Sequence, residues 1–455
     1  MDRPHTQKQT VRIAAVSAAG LLLCGCATTL ETDLLNTYSE TQNSLYSPSE
    51  TGAKESVFST HSVFGDYLLY SFANSPRLRA SFDRWKAALE RIPQARSLND
   101  PELSFDYMLH QYDKKYQVAL MQKLPLFGEL GLQNRAATAR AEAAMHAFEN
   151  ARFMLYDQTS DLFYGYAYLG RETDITEQNL KLLTGLEQIA ETRFKDGTMP
   201  YSELIQIQIE RERLANRHLS LQDRRRAESA ELTAVIHYET NEPLPWPELT
   251  PSGDSLFSED VLQSLLEELN PELKEAEAQI AAREIEEQLA RRRQLPGFKA
   301  GVGTETMAND NQEIMLKAGL SIPLWLNKNR AAIREAEAET RAAKQNRQNL
   351  RSRLKAELSV AVFQAKDAQR RMELYRNTLI PKAEQSLAVA KQDFSTGATD
   401  IQMLIQAQQI LLEFQLAEQR AVADREIALT EIGCCIGQFQ LHAPETITPD
   451  EGSDL

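Results

Sequence analysis

The residues whose type and spacing most clearly indicate a chemical reaction are two cysteines near the start of the chain, Cys24 and Cys26. A basic beginning is followed by an apolar stretch over residues 13–23, which has signal-peptide length and is too short to span a bilayer. The stretch ends in Leu23-Cys24-Gly25-Cys26, which resembles the bacterial lipobox, where small residues precede a cysteine that is diacylated and becomes the mature N-terminus. The pattern predicts a signal peptide over residues 1–25 and lipidation of Cys26. The alternative is an ordinary secretory signal that is cleaved nearby.

The residues after Cys26 bear on where the chain would be anchored. The next residue is Ala27 and not aspartate, which in lipoproteins of this kind implies sorting to the outer membrane. An acylated cysteine gives durable attachment, because each buried methylene contributes about 0.8 kcal/mol. Residues 27–57 are rich in Thr, Ser and Glu, and no periodic apolar pattern stands out in them. We therefore interpret residues 26–57 as a lipid-anchored tether that is extended or weakly structured.

Side chains that could support catalysis are present but are not spaced for it. The seven histidines are scattered, and the sequence holds no HExxH, GxSxG, P-loop or GxGxxG motif. Carboxylates are plentiful, but they are interspersed with Lys and Arg in a way that is typical of solvated helix surfaces. The sequence therefore predicts no enzyme activity, no metal site and no cofactor.

Charge and hydropathy restrict the partners of the chain. Its 455 residues carry a formal charge of −15, which argues against nucleic acid, because phosphate binding needs a concentrated basic face. Beyond residue 25 no apolar run approaches the ~18 residues of a membrane-spanning helix, so a membrane crossing would use strands or a lipid anchor. Cys434 and Cys435 do not fit a structural zinc site. We interpret them as small residues near the end of a packed helix or as thiols free to form unwanted crosslinks.

Most of the remaining chain is an internal duplication. A series of landmarks in the first half recurs in the same order in the second half, at an offset that drifts from 195 to 200 residues. The pairs are Ser75-Pro76 with Asn270-Pro271, Pro101 with Pro296, Leu124-Pro125-Leu126-Phe127 with Ile322-Pro323-Leu324-Trp325, Phe194-x-x-Gly197 with Phe394-x-x-Gly397, and Leu204-Ile205-Gln206 with Leu404-Ile405-Gln406. We therefore expect a first repeat over residues 58–240, a proline-rich linker over 241–257, a second repeat over 258–440 and a disordered acidic tail over 441–455.

Each repeat is predicted to contain a hairpin of two strands. Apolar and polar residues alternate over 103–109, and after a polar turn they alternate again over 116–121. The second repeat shows the same pattern over 298–303 and 314–322. One apolar and one polar face fit transmembrane strands with lipid outside and water inside, although a soluble sheet packed on a core gives the same pattern. Closed membrane barrels use about eight strands or more, so four membrane strands would require an oligomer.

Long helices account for the rest of each repeat. Residues 135–194 contain no proline, and at 1.5 Å per residue they would form a rod of roughly 90 Å. A second rod is predicted over 331–394, with a kink at Pro381. Return helices are predicted over 201–237 and 401–437, and the latter carries a narrow apolar stripe that is typical of a coiled coil, so packing against other subunits is expected. The members of this stripe are Ile401, Ile405, Leu412 and Leu416.

The duplicated plan of strand pairs and long helix pairs resembles the TolC family of outer-membrane efflux channels. The similarity is strongest to the lipoprotein branch, which serves heavy-metal and drug efflux systems. The motifs that carry the resemblance are Gln122-Lys123-Leu124-Pro125-Leu126-Phe127-Gly128, Arg135-Ala136-Ala137, and the two tips at Gly197 and Gly397.

The resemblance implies a fold, a location and partners. The fold would be mainly α with membrane β. In a homotrimer, four strands from each chain would form one β-barrel, joined to a periplasmic α-barrel of long antiparallel coiled helices. The protein would lie in the outer membrane of a Gram-negative cell, in contact with outer-membrane lipid, and would dock onto a periplasmic adaptor protein and an inner-membrane RND-type pump.

In this interpretation the chain is a passive exit duct for metal ions or drugs. The alternative hypothesis is a periplasm-spanning lipoprotein scaffold without channel activity. Both hypotheses account for the lipobox and the long helices. They differ on the strands, because a soluble scaffold has no need for four strands with a continuous apolar face.

The resemblance also indicates where the channel would narrow. The family constricts its channel near the helical tips and often lines the constriction with acidic rings on the first turns of the return helices. At the second tip the matching positions are Met403 and Gln406, so this sequence departs from the acidic pattern. Glu203 and Gln206 hold the corresponding places in the first repeat. The expected constriction is therefore Met403 and Gln406 from three chains, with Glu203 as a single acidic ring.

The tips themselves require sharp reversals of the chain. Gly197 and Gly397 supply the backbone freedom for these turns. Asp400 lies just before the second return helix, and we interpret it as the N-cap of that helix rather than as a channel-lining charge.

Overall fold

The structure of the chain is a computed structural model in which helices predominate and one small sheet is formed. It describes residues 29–46, 58–109, 114–125, 128–249, 253, 258–307 and 312–439. The predicted signal peptide, the lipidation site Cys26 and the acidic tail lie outside these residues.

Helix α1 (Thr29–Tyr46) precedes the first repeat, which begins with short helices, continues through a strand hairpin and ends in two long helices. The first long helix has 67 residues and begins six residues before the position expected from the sequence. The elements are α2 (Phe64–Asn74), α3 (Pro76–Leu89), α4 (Arg91–Arg96), β1 (Glu102–Tyr107), β2 (Lys114–Leu124), α5 (Glu129–Lys195) and α6 (Tyr201–Ile236).

The second repeat follows the same order, as the duplicated landmarks predict. Its elements are α7 (Glu259–Leu269), α8 (Pro271–Arg292), β3 (Gly297–Met307), β4 (Gln312–Ser321), α9 (Leu326–Leu374), α10 (Ile380–Thr396) and α11 (Ile401–Ile436). None of the described helices combines the length and the apolar character that crossing a membrane requires.

A π-helical turn lies immediately before Pro381, where the sequence predicts a kink. Residues Tyr375–Leu379 separate α9 from α10, and the Ile380 amide donates to the Tyr375 carbonyl, five residues back. Pro381 has no N–H, and its ring crowds the carbonyl four residues earlier, so the usual α-helical bond is not available there. Widening the preceding turn accommodates the proline while the helix continues.

One antiparallel sheet combines the two hairpins in the order β1-β2-β3-β4. The register pairs Leu120 with Leu103 on one side and with Val302 on the other. Val302 pairs in turn with Leu316, so one row of the sheet is apolar across all four strands. This face is exposed, and Leu316 has 88% of its surface accessible. The alternation predicted from the sequence is therefore confirmed, with the apolar face outward.

The opposite face of the sheet is polar. The Lys299 ammonium lies 3.0 Å from a carboxylate oxygen of Glu102, and Lys299 pairs across the strands with Gly319. Beside them, a Cβ at Gly301 would collide with the Leu120 carbonyl oxygen, so glycine is needed for β2 and β3 to approach at this position.

The chain divides into two compact units. The first unit contains the sheet, α1 and the helical segments that adjoin the strands in sequence, and its helical core is small and rich in alanine. Residues Leu132, Ala136 and Ala139 of α5 pack there with Ala282 and Ile285 of α8. The described residues of the first unit are 29–46, 84–109, 114–125, 128–144, 277–307 and 312–344.

Helix α1 is held in the first unit by contacts of three types. The Glu31 carboxylate forms an ion pair with the Arg96 guanidinium at 3.3 Å, and Leu34 is buried. Tyr38 contacts the ring of Trp85 edge to face, with ring centroids 5.2 Å apart. These contacts make α1 a packed element of the unit.

The interpretation of residues 26–57 as an extended tether was therefore wrong for residues 29–46. Glu31, Leu34 and Tyr38 are spaced by three and four residues and so share one helix face. The stripe is difficult to recognise in the sequence because one of its members is a carboxylate. Burial of that carboxylate depends on its pairing with an arginine 65 positions away in the chain.

The second unit contains the remaining helices, and its described residues are 58–83, 145–249, 253, 258–276 and 345–439. Its largest apolar cluster joins the ends of α5, α6, α10 and α11. A second cluster is aromatic and lies where α2 packs against α5 and the end of α6. Its buried aromatic members are Phe58, Tyr67, Phe163 and Tyr166.

The first part of the proline-rich linker, residues 241–249, packs against the first repeat within the second unit. The Leu244 carbonyl accepts hydrogen bonds from the Tyr166 hydroxyl at 2.6 Å and from the Arg225 guanidinium at 2.9 Å. Trp246 lies against Gly170, where a Cβ would be 2.9 Å from the indole ring, and Arg225 lies over the same ring. Leu244 and Trp246 thus pack the described start of the linker onto α5 and α6.

Leu34→Ala is expected to loosen α1, because Leu34 is buried whereas its neighbour Leu35 is exposed. Truncating a buried leucine costs about 2–5 kcal/mol. The measurement is amide hydrogen exchange over residues 29–46, which should become faster in Leu34→Ala and stay at the wild-type rate in the matched control Leu35→Ala. Equal exchange in the two variants would contradict the packing of α1.

Candidate functional site at the hairpin tips

Two glycine turns join the long helices in pairs. Gly197, between α5 and α6, has a φ of +71°, and Gly397, between α10 and α11, has a φ of +80°. Both values lie in the left-handed region, which costs a residue with a Cβ about 1–2 kcal/mol. The residue after each glycine donates its N–H to the carbonyl five residues back, at 2.9 Å in the first tip and 2.8 Å in the second. The two turns therefore share one hydrogen-bond pattern.

Asp400 lies at the N-cap of α11. Its carboxylate accepts a hydrogen bond from the Met403 amide at 3.1 Å, and its backbone is extended, as the cap position requires. A negative charge at this end also interacts favourably with the helix dipole. In the first repeat Pro200 holds the corresponding position and provides no side-chain cap.

The residues expected to line a constriction lie on two helix faces. Met403 and Gln406 are exposed on α11, and Met403 has 56% of its surface accessible. On α6, Gln206 is exposed and Glu203 is half-buried. Residues three apart share a helix face, so the structure brings together the two members of each pair. The buried sides of both helices meet in the apolar cluster of the second unit.

Arg193 links the two tips. Its guanidinium donates to the Phe394 carbonyl in the second tip at 2.6 Å and to the Thr198 carbonyl in its own tip at 3.2 Å. The same group lies over the Phe394 ring, 4.7 Å from the centroid. Phe394 is fully buried, whereas its counterpart Phe194 is 39% exposed. One side chain therefore satisfies backbone carbonyls at the helix ends of both hairpins.

The role of Arg193 was not predicted from the sequence, because the landmarks of the two tips are the residues that the repeats share. The residue before the Phe-x-x-Gly motif is Arg193 in the first repeat and Asp393 in the second. This reversal of charge between matched positions was the available signal. It marks the place where one tip acquires a group that can bind the other.

A buried amide layer lies farther along the same helical core. Gln408 donates to the Asn179 side-chain oxygen at 3.1 Å, and Asn179 donates to the Gln415 side-chain oxygen at 3.1 Å. Asn179 and Gln408 are buried. Buried polar side chains fix the register of packed helices, because a shift would leave an amide unpaired. The layer therefore sets the axial alignment of α5 with α11.

The adjacent thiols of Cys434 and Cys435 lie near the C-terminal end of α11. Both are free, and the Cys434 sulfur is 3.5 Å from the Phe153 carbonyl oxygen. Burial raises the pKa of both thiols, that of Cys435 to about 12, so both stay protonated at neutral pH. They are small packed residues, which was one of the two alternatives. In the described part of the chain, no group of three or more His, Cys, Asp or Glu side chains is arranged to hold a metal ion.

Residues 262–438, which run from α7 to the end of α11, match the sequence profile of a protein family described as outer membrane efflux protein. The second repeat belongs to the outer membrane efflux protein family. The matched part of this efflux-protein repeat includes the second tip, with Gly397, Asp400 and Met403. No curated protein sequence matches the chain.

Most of the chain shares the fold of solved outer-membrane channels. The outer membrane protein VceC of Vibrio cholerae superposes with a TM-score of 0.70 at 15% identity, covering 83% of this chain and 97% of VceC. The CmeC outer membrane channel of Campylobacter jejuni gives 0.70 at 14% identity, covering 87% of this chain and 91% of CmeC. The open state of the Neisseria gonorrhoeae MtrE outer membrane channel gives 0.68 at 14% identity, covering 84% of this chain and 94% of MtrE. The shared fold extends well beyond the efflux-protein repeat.

Arg193→Ala is expected to loosen the contact between the two tips. A hydrogen bond to a charged group contributes about 1.5–3 kcal/mol, and part of this is screened at a half-buried position. The measurement is hydrogen exchange of the amides at residues 397 and 398 in the full-length protein, which should become faster. Lys195→Ala removes the same charge from a residue that pairs with Glu191 on its own helix, and it should leave the exchange unchanged. Wild-type exchange in Arg193→Ala would argue against the link.

Proposed function

We propose that this protein is the outer-membrane channel of a tripartite efflux system. The observation that carries the proposal is the sheet, whose exposed face is apolar on all four strands, in a fold shared with outer-membrane channels. Large exposed apolar surfaces mark contact with a partner or with a membrane. Alternation of an apolar outer face with a polar inner face is the pattern of strands that have lipid on one side and water on the other.

In this proposal the chain works as a homotrimer. Within the described sheet, β1 and β4 each pair on one side only. Lipid offers no hydrogen-bond partners, so these edges would need strands from neighbouring chains. Three chains would supply about twelve strands, a number within the range of closed outer-membrane barrels. The long helices would continue the wall of the channel into the periplasm.

The proposed partners follow from the position of the helices. A periplasmic adaptor protein and an inner-membrane RND-type pump would meet the channel at the helical tips, in a Gram-negative cell. Metal ions or drugs delivered by the pump would leave through the duct. Lipidation of Cys26 would add an anchor in the outer membrane.

The constriction is proposed at the tips. The exposed side chains of Met403 and Gln406 from three chains would form two rings, and Glu203 would form one acidic ring beside them. Methionine narrows a pore by bulk and by excluding water, whereas an acidic ring attracts cations. Cation block and cation selectivity should therefore be weaker than in a channel with two acidic rings.

Met403→Ala should enlarge the constriction, because the bulkiest neutral side chain of the expected ring is removed. The test reconstitutes the full-length protein in planar bilayers, where the variant should show a larger conductance than the wild type. Cells carrying the variant should become permeable to bulky antibiotics such as vancomycin. Met403→Asp should instead introduce block by divalent cations.

Val389→Ala is the control for this test, because it truncates an exposed apolar residue on α10 instead. Its conductance should equal that of the wild type. A purified oligomer that conducts no ions even when Met403→Ala and Arg193→Ala are combined would favour the scaffold alternative. If neither substitution at Met403 changes the conductance, the constriction lies elsewhere than at the tip.

Cys26→Ser should abolish acylation, because the thiol of this residue is the group that is alkylated. Cys24→Ser should leave acylation intact, since that residue lies in the part that is removed. Metabolic labelling with a fatty-acid analogue measures both. Label that persists on Cys26→Ser would refute the assignment. Localisation is a poorer measure, because membrane-inserted strands would retain a protein without acyl chains.

A further inference from the structure

A compact surface of apolar and basic side chains lies where β4 leads into α9. Four consecutive or nearly consecutive apolar residues are exposed there, and Leu324 and Trp325 have 76% and 77% of their surfaces accessible. Lys328 and Arg330 follow within the first turns of the helix and are also exposed. We call this surface the strand–helix patch. Its members are Ile322, Leu324, Trp325, Leu326, Lys328 and Arg330.

The apolar part of the strand–helix patch continues the exposed face of the sheet. Leu320, the last apolar residue of β4 on that face, is exposed and pairs with the exposed Phe298. Ile322 is exposed two residues beyond it. If the sheet face contacts lipid, as the proposed function requires, the patch begins at the end of that contact nearest the helices. Tryptophan is enriched at this level of membrane proteins, because its ring is apolar and its N–H is polar.

The basic part of the patch is a difference between the repeats. Aligned on the Leu-Pro-Leu-Phe and Ile-Pro-Leu-Trp motifs, Lys328 and Arg330 correspond to Leu130 and Leu132 of the first repeat. Leu132 is buried in the alanine-rich core of the first unit, so that position serves packing there. In the second repeat the matched side chain is charged and exposed. Duplication of the fold therefore does not account for the two cations.

The fold does not account for their charge either. The first turn of α9 contains no acidic residue, and cations near a helix N-terminus interact unfavourably with its dipole. Within the described part of the chain, neither Lys328 nor Arg330 forms an ion pair. The first repeat follows the opposite rule, with Glu129 in the first turn of α5. An external anion would remove this conflict by pairing with the cations.

We propose that the strand–helix patch binds anionic phospholipid in the leaflet of the membrane that adjoins the helices. Trp325 and its apolar neighbours would enter the boundary between headgroups and acyl chains, and Lys328 and Arg330 would contact the phosphate groups. The proposal rests on the membrane insertion of the sheet that the proposed function includes. It adds a selection among lipids, which membrane insertion alone does not require.

The test measures quenching of Trp325 fluorescence by brominated lipid in vesicles of the full-length protein. Two preparations of phosphatidylcholine vesicles are compared. One contains a small fraction of brominated phosphatidylglycerol, and the other contains the same fraction of brominated phosphatidylcholine. The emission of Trp325 is obtained by subtracting the emission of Trp325→Phe. Brominated phosphatidylglycerol should quench better, because each basic residue near an anionic lipid surface contributes about 1 kcal/mol, which is about fivefold in local lipid concentration.

Lys328→Gln combined with Arg330→Gln should remove the preference while retaining quenching, since Trp325 stays at the same level. The matched control is Lys366→Gln combined with Lys382→Gln, which removes two exposed cations from α9 and α10 and should retain the preference. Raised salt should weaken the preference in the wild type, because the contacts are exposed. Equal quenching by the two brominated lipids in the wild type would overturn the proposal, as would an unchanged preference in Lys328→Gln with Arg330→Gln.

A further variant separates this proposal from the proposed function. In Leu316→Trp the added indole lies on the outer face of the sheet, so lipids brominated along their acyl chains should quench it if the sheet is inserted. Quenching at position 316 but not at Trp325 would overturn the lipid proposal alone and indicate that protein covers the patch. Absence of quenching at both positions would overturn the insertion of the sheet, and with it the proposed function.

Discussion

The rest of the architecture depends on the open edges of the sheet. Within the described sheet, β1 and β4 each have one edge without a partner strand. A backbone group left unpaired in lipid costs several kcal/mol, so an exposed apolar face and open edges cannot coexist in a membrane unless other chains close the sheet. In the proposed homotrimer, closure of the barrel and assembly of the chains would be one event, so the stability of a chain would depend on the concentration of its copies. The apolar stripe of α11 does not depend on this event, because Ile401, Leu412 and Leu416 are buried in the cluster that α11 forms with α5, α6 and α10 of the same chain.

The two repeats share their elements but differ at a small number of matched charges. Arg193 stands where the second repeat has Asp393, and Arg330 stands where the first repeat has the buried Leu132. Packing therefore differs between the repeats at this position, since Leu132 is buried whereas Arg330 is exposed. A charge that appears in one repeat alone can serve a contact that the other repeat does not make. Arg193 supplies such a contact between the tips.

Much of the fold could be predicted from the sequence because its signals are local. Alternation over neighbouring residues indicates the strands, and Gly397 before the polar Asp400 indicates a helix end followed by a helix start. Contacts between distant residues could not be predicted in this way. The packing of α1 depends on Arg96 reaching Glu31, and the role of Arg193 depends on a tip about two hundred residues away in the chain. Strand β2 of the first repeat pairs with β3 of the second repeat, and no hairpin turn joins these two strands to fix their register.

If the chain folds in the periplasm, as the proposed function requires, burial of the adjacent thiols on α11 has a consequence for its folding. The periplasm is an oxidising compartment, where an exposed thiolate is readily joined to another by thiol–disulfide exchange. If Cys24 is removed with the signal peptide and Cys26 is acylated, Cys434 and Cys435 are the two thiols left in the chain. Their raised pKa values and half-buried positions slow their oxidation once α11 has packed. In the proposed homotrimer, three chains would then assemble without disulfide cross-links between them, and the interval before α11 packs is when the chain would most need protection from oxidants.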